Sequence, residues 1–250
     1  TIDGVNTFFI AKAAKRAGLK TVLSGLGSDE IFMGYPFFKR MSGLKIIQQL
    51  PGIIKNPIIF LGKKKIPKIE YLAKTDNLNF YLGIRGLFSP SETAKILGTA
   101  PKEVENLISE IWEAQAFNKS VSDLSAPDFI SYMELNFYLK NQLLKDTDFM
   151  SMHHSIEVRV PFLDSPLVEY LSSLPVKLKL KKERNKALLA EAVSSIVPEQ
   201  ILNRKKMGFT FPFEKWLKES SLIANYKLPI VNAHWSRFWA MAVLDKFENL

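Results

Sequence analysis

The sequence predicts an α/β protein, mainly α-helical, that carries one edge of a parallel sheet. Three observations lead there. The β-branched and aliphatic run Thr21-Val22-Leu23 enters a Ser24-Gly25-Leu26-Gly27 turn, and the chain turns helical at Ser28-Asp29-Glu30, which reads as strand, tight turn and helix start. A helix expected from Asn6 to Ala17, closed by Gly18, feeds that strand and makes one αβ unit. From Phe37 onward the punctuation is that of successive helices. A single αβ unit cannot form a parallel sheet alone, so its neighbouring strands are expected upstream of Thr1.

In the first helix Phe8, Phe9, Ala13 and Ala17 share an apolar side. In the turn, the two glycines allow positive φ and close backbone approach, and Ser28 stands where it could cap the next helix. Open α/β sheets bind ligands at such an edge. Asp29 and Glu30 suit the positive end of a helix but would repel a phosphate placed there, so a phosphate would need a bridging cation. Asp29 is a reasonable Mg²⁺ ligand, because Mg²⁺ takes one or two carboxylates together with phosphate oxygens and water. Local chemistry leaves two readings open: a nucleotide-phosphate site, or a plain turn whose acids complement the helix dipole.

The stretch from Phe37 to Leu87 reads as helices joined by irregular loops, broken at Pro51-Gly52 and Pro57, with Lys63-Lys64-Lys65 as a solvated basic turn. Ser89-Pro90-Ser91-Glu92 has the pattern of a capping box with Pro at the first helical position, and Gly98 ends that helix. Pro101 opens another, expected to reach about Phe117. Ser125-Ala126-Pro127-Asp128 opens the longest helical stretch, to about Lys145, with Phe129, Ile130, Met133, Phe137, Leu143 and Leu144 on its apolar side.

Beyond it, in Asp146 to Asp164, Glu157 and Arg159 interrupt an apolar run. Charges among apolar neighbours need partners, and these are read either as buried charges that fix a loop against the sheet or as charges that shape a site. His153 and His154, adjacent in sequence, point in different directions, so at most one faces any site. Ser165-Pro166 starts a short helix ending before Pro175. Lys177 to Lys182 alternates basic and apolar residues as a surface strand or extended loop would. A helix is expected from Asn185 to Val197. Arg204-Lys205-Lys206 beside Gly208 makes either a phosphate-binding loop or a solvated basic loop. Phe213, Trp216 and Leu217 belong to a packed helix, and residues 234–250 to a last one.

With 250 residues, 47% of them hydrophobic, the chain can bury a substantial core as one large or two small domains. No apolar run approaches the roughly 18 to 20 residues that span a bilayer, and the first residues are neither a signal nor a transit peptide. The start at Thr1, without Met, is that expected of a piece of a longer polypeptide. The absence of cysteine excludes disulfides, thiolate metal sites and a cysteine nucleophile within these residues, and a cytoplasmic setting is expected. His153, His154 and His234 are too few and too badly spaced for a histidine metal cluster. A formal charge of +9 calls for polyanionic partners, which nucleotide phosphates satisfy as well as nucleic acid does.

Three separated segments, in order, resemble the synthetase domain of the glutamine-dependent asparagine synthetase family: Leu23 to Tyr35, Met150 to Asp164, and Arg204 to Phe209 with Pro212 and Trp216. The resemblance covers nearly the whole chain, with 37–100 matching loosely. It implies an adenine-nucleotide-hydrolase-like (ATP-pyrophosphatase) domain, of which residues 1–250 are the C-terminal part. The chemistry implied is amide formation through an acyl-adenylate. Aspartate's carboxylate attacks the α-phosphorus of ATP, pyrophosphate leaves, and ammonia from an N-terminal glutaminase domain displaces AMP. On this resemblance Ser24, Gly25 and Gly27 lie against ATP, with Arg204 in the same region. Asp29 holds Mg²⁺, Lys206 stabilises charge on the departing pyrophosphate, and Glu157, Arg159 and Asp164 shape the site.

Two departures from the family pattern stand out. Where many members have Ser-Gly-Glu-Gly, this chain has Leu26, as does one branch of the family. The family's Ser-Gly-Gly-x-Asp-Ser pyrophosphate loop and its N-terminal Cys occur nowhere in these residues, so both are expected upstream and the 250 residues alone are expected to be inactive. The partners implied are a small-molecule carboxylate, aspartate favoured, and an upstream glutaminase domain of the same polypeptide. A homodimer stays open, and no membrane partner is expected. Two other readings remain: a relative that activates a different carboxylate, as an amidotransferase or cyclase, and a basic nucleic-acid-binding module, which the charge favours but which lacks interleaved aromatics or a nucleic-acid motif.

Overall fold

The computed structural model describes residues 1–114, 121, 123–181, 183–204, 211–219 and 234–248. The expected helix end at Phe117, Lys182 and the loop Lys205 to Phe209, including Lys206, lie outside the described residues. The chain divides into two compact units, Thr1–Ser42 with Leu124–Phe209, and Gly43–Asp123 with Thr210–Leu250.

In the first unit α1 (Ile2–Arg16) leads through Ala17 and Gly18 into β1 (Thr21–Leu23). The predicted apolar side of α1 is not the buried one: Gly4, Asn6 and Ala11 are buried, while Phe9, Ala13 and Ala17 are exposed. The reason is the partner. α1 packs on a later helix through its small residues, with Gly4 against Asp146 and Met150, and Phe8 turns onto the rings of His153 and His154 at 5.3 and 4.6 Å.

α2 is a single turn, Ser28–Ile31, and α3 (Pro36–Gln49) crosses the boundary between the units. The long helical stretch predicted from Ser125 runs without a break as an α-segment, α8 (Ala126–Met133), a ten-residue π-segment (Glu134–Leu143) and a second α-segment, α9 (Leu144–Met152). Phe129, Ile130 and Met133 are buried as expected.

After α9 comes β2 (Glu157–Arg159), which pairs in parallel with β1 in the register Thr21↔Glu157, Val22↔Val158 and Leu23↔Arg159. The sequence reading placed the neighbours of β1 upstream of Thr1 and did not find this one, which lies 136 residues downstream. Glu157 and Arg159 are also not buried. Spaced by two on a strand, they share its open face with Thr21 and Leu23, and they pair with each other, Arg159 Nε donating to Glu157 Oε1 at 2.8 Å. That hydrogen bond and the adjacent charge hold the Glu157 carboxyl below the usual carboxylate range.

α10 (Ser165–Ser173) follows, then two further departures from expectation. The Lys177 region is a helical turn, α11 (Val176–Lys179), rather than a strand or extended loop, because Lys179 turns inward: its buried ammonium donates to Leu171 O at 3.1 Å and pairs with Asp128 at 3.4 Å. The helix predicted from Asn185 is shorter, α12 (Ala187–Ala192), and α13 (Glu199–Leu202) ends beside Arg204.

In the second unit α4 (Gly52–Gly62) runs through Pro57, where a break was predicted. Pro57 lies on the exposed side of the helix, where water can serve a carbonyl that proline, lacking an N–H, cannot bond. A 3₁₀ segment (Pro67–Ala73), α5 (Asn77–Arg85), α6 (Pro90–Leu97) and α7 (Pro101–Ala114) follow. The capping box at α6 is complete: Ser89 accepts from Glu92 N, and the Glu92 carboxylate accepts from Ser89 N. α14 (Phe213–Glu219) buries Phe213 and Leu217, and Phe213 stacks on Trp235 at the start of α15 (Trp235–Glu248). Arg237 of α15 reaches α6, where its guanidinium donates to both Glu92 oxygens at 2.7 and 3.2 Å.

Candidate functional site

The site lies in the first unit, at the carboxyl ends of β1 and β2, where open parallel sheets hold ligands. Ser24 N donates to Arg159 O at 2.8 Å, extending the ladder by one residue before the chain turns. Within the turn Ser24 Oγ accepts from Leu26 N at 3.3 Å. Gly27 then takes the left-handed conformation, φ 89°, and a Cβ there would stand 2.3 Å from Leu163 Cδ2. Glycine is demanded twice over, by conformation and by the packing of the 3₁₀ turn (Pro161–Leu163) that follows β2. Gly25 lies exposed beside it.

Ser28 does not cap α2. The cap is Gly27, and Ser28, already inside the helix, donates its hydroxyl back to Gly25 O at 2.7 Å. The hydroxyl is in turn the acceptor for Lys186 Nζ, also at 2.7 Å. The same ammonium stands 3.2 Å from Asp29 Oδ1, and both side chains are roughly one quarter exposed. Lys186 holds this position from a left-handed backbone, φ 47°, at the start of α12, a conformation unfavourable for a lysine. The pair has room because residue 34 is glycine: a Cβ there would meet Asp29 Oδ1 at 2.2 Å and Lys186 Cε at 2.5 Å.

Beneath the turn Glu30 is buried, 1% exposed. Tyr35 donates its hydroxyl to Glu30 Oε1 at 2.6 Å, and Ser131 of α8 donates to the Glu30 carbonyl at 2.8 Å. Burial raises the Glu30 pKa above the ordinary carboxylate value, an effect the Tyr35 hydrogen bond opposes. Ile31 and Phe32 continue into a cluster with Leu171, Phe162 and Leu188, which anchors the turn from behind.

Of the residues predicted from sequence, Ser24, Gly25, Gly27 and Asp29 come together in this one turn. Glu157 and Arg159 lie alongside on β2, and Asp164 follows Leu163, the residue packed on Gly27. The Asp164 side chain is exposed and makes no capping bond to α10. Arg204 is exposed after α13. Lys186 was missed: its neighbours Arg184, Asn185 and Ala187 carry no recognisable pattern. A lysine immediately before a short apolar helix was the one available signal.

Among the described residues no three His, Cys, Asp or Glu side chains stand together as a metal cage. The residues nevertheless fit a phosphate-bound Mg²⁺, which needs one or two protein carboxylates: Asp29 offers a partly open one in the turn that exposes Gly25.

A family model described as "Asparagine synthase" matches residues 3–228. The chain belongs to the asparagine synthase family. Among the chain's relatives is "Asparagine synthetase [glutamine-hydrolyzing] 1" of Bacillus subtilis, 30% identical over 220 residues, which cover 84% of the chain and 33% of the relative. A "Putative asparagine synthetase [glutamine-hydrolyzing]" of Mycobacterium tuberculosis is 28% identical over 230 residues, 88% of the chain and 34% of the relative. "Amidase chry2" of Gibberella zeae is 25% identical, with 86% of the chain and 35% of the relative covered. The chain thus spans about a third of the length of these curated relatives. No solved structure matches it significantly.

Proposed function

We propose that these residues form the carboxyl-terminal part of a synthetase domain that makes an amide through an acyl-adenylate, with ATP as co-substrate, and that the phosphate loop and a glutaminase domain lie elsewhere in the same polypeptide. Aspartate, converted to asparagine with ammonia drawn from glutamine, is the favoured substrate, in a cytoplasmic setting. The observation that carries the reading is the Ser24–Asp29 turn at the carboxyl ends of two parallel strands, with Asp29 fixed by Lys186, in a chain of the asparagine synthase family.

Each residue then has a physical task. The exposed backbone of Gly25, beside the half-buried Ser24, lets a nucleotide lie close, and Gly27 keeps the turn tight against Leu163. Asp29 would hold Mg²⁺ on the phosphates, and that ion would supply charge neutralisation of the oxygens that become pyrophosphate. Lys186, already beside Asp29, offers a second positive charge to the same oxygens. Lys206 and Arg204 would add theirs from the basic loop, while Glu157, Arg159 and Asp164 border the site on the β2 side.

Leu26 favours a second reading of the substrate. An apolar side chain stands where many relatives carry a carboxylate, and two of the relatives are named amidases, chry2 and chyE, rather than synthetases. A relative that activates another carboxylate keeps the same adenylation chemistry.

The test is pyrophosphate and AMP release by the intact protein across a panel of carboxylates. Release with aspartate and glutamine supports the first reading, release with another acid alone supports the second, and no release with any sinks both. Asp29→Asn and Lys206→Ala are each expected to abolish turnover without unfolding the protein.

A further inference from the structure

α4 is turned inside out relative to an ordinary surface helix. Its inward side consists of Lys55 and Ile59, and the Lys55 ammonium donates to Gln48 O and Ala73 O. Its outward side carries Ile53, Ile54, Pro57, Ile58, Phe60 and Leu61, with Ile53 86%, Phe60 60% and Leu61 68% exposed. At about 100° per residue these six positions fall within one arc of about 160°, and no polar residue interrupts it. An apolar face of that width open to solvent marks an interaction surface.

The charge around it narrows the partner. Lys63, Lys64 and Lys65 follow α4 directly and are all exposed. Of the six lysines between Gly43 and Ile69, Lys55 and Lys68 donate inward to backbone carbonyls and Lys45 to Gln48 and Asn77, so the exposed positive charge of this stretch sits at the end of α4, on Lys64 and Lys65 with Lys63, which stands 3.9 Å from Glu70. A second copy meeting this face by two-fold symmetry would set the lysines opposite themselves if the helices ran parallel and beside the uncharged start of the partner helix if they ran antiparallel, and in both arrangements α4 offers them no carboxylate. An apolar helix face bordered by clustered lysines is the pattern that rests in the headgroup region of an anionic bilayer.

We infer that α4 and Lys63 to Lys65 seat this unit on an anionic lipid surface, the helix lying in the plane of the interface. Eleven residues of helix extend only about 16 Å, half of a bilayer's hydrocarbon thickness, so the helix lies on the membrane and does not cross it. Among the described residues no helix is long and apolar enough to cross. The sequence expectation of no membrane partner rested on spanning runs and does not touch an in-plane helix.

Co-sedimentation of the full chain with vesicles tests this, using phosphatidylcholine alone and phosphatidylcholine with about one third phosphatidylglycerol. Binding is expected to the anionic vesicles only and to fall as salt rises. Ile53→Ser and Leu61→Ser, at exposed positions that leave the circular dichroism unchanged, should each weaken it about tenfold. Changing Lys63, Lys64 and Lys65 together to Gln should weaken it on the order of a hundredfold. The inference is overturned by no binding to anionic vesicles at low salt or by equal binding to both compositions. It is overturned equally by apolar-face variants that bind as well as the parent. If the same variants instead convert a dimer to a monomer in sedimentation without any vesicle binding, the face is a contact between copies and the inference also falls.

Discussion

A methyl group on Gly34 would stand 2.2 Å from Oδ1 of Asp29, so the carboxylate occupies space that any larger residue at position 34 would claim. The atoms in the way, on Asp29 and Lys186, are parts of flexible side chains. Gly34→Ala should therefore cost little stability, within about 1 kcal/mol in urea denaturation, because the two side chains can swing aside. The displaced pair should lower pyrophosphate release by the intact enzyme about a hundredfold or more. Near-normal turnover would remove the Asp29–Lys186 pair from the site.

Gly27→Ala makes the opposite split. Its Cβ would strike Leu163 at 2.3 Å, and the left-handed φ of 89° adds a second penalty. A loss of roughly 2 to 4 kcal/mol of stability is expected from conformation and overpacking together. Adding Leu163→Ala should relieve the steric share and leave a conformational remainder near 1 kcal/mol beyond the cost of Leu163→Ala itself. A double-mutant cycle with no coupling would contradict the contact.

Glu30 predicts a pH dependence with a definite sign. Its folded-state pKa is raised by burial, so above the ordinary value of 4.5 the unfolded chain has already released the proton that the folded chain retains. The folded state then binds more protons than the unfolded one, and its stability falls as pH rises from 4.5 through the raised value. Glu30→Gln keeps an acceptor for Tyr35 and should flatten that fall, leaving the variant more stable than the parent at neutral pH. Parallel stability–pH curves for the two would show that Glu30 does not titrate as described.

In the second unit Arg237→Ala would leave the Glu92 carboxylate buried with its two guanidinium bonds gone. A loss of roughly 3 to 5 kcal/mol is expected, read by thermal or urea unfolding. The double variant Arg237→Ala with Glu92→Gln should recover part of it, because the Gln side chain can still accept from Ser89 N without carrying a charge.

What was legible in the sequence was local. β1, the turn after it, the capping box at Ser89 and the helical stretch from Ser125 rest on residues a few positions apart, and each stands where it was read. The failures share a cause. β2 has charged residues at two of its three positions and acquires its identity only by pairing with β1, so its exposed Glu157–Arg159 pair was read as buried. Lys186 gains meaning from Asp29 and Ser28, and Lys179 from Asp128 and Leu171, partners that periodicity cannot point to. The outward apolar face of α4 inverts the usual pattern, in which apolar residues mark the inside, so a sequence reading treats it as core.

The pairing of Thr21 with Glu157 also sets an order of events at the ribosome. The turn that carries Asp29 is synthesised before its sheet partner, which emerges more than a hundred residues later, and its lysine emerges later still. Contacts of such sequence separation are slow to close. Until Glu157 to Arg159 have left the exit tunnel β1 lacks this partner, and until Lys186 follows Asp29 lacks its ammonium, with residues 43–123 already available to collapse among themselves. The candidate site is therefore among the last parts of its unit to assemble, and a chain truncated before Lys186 would lack it even where every earlier helix had formed.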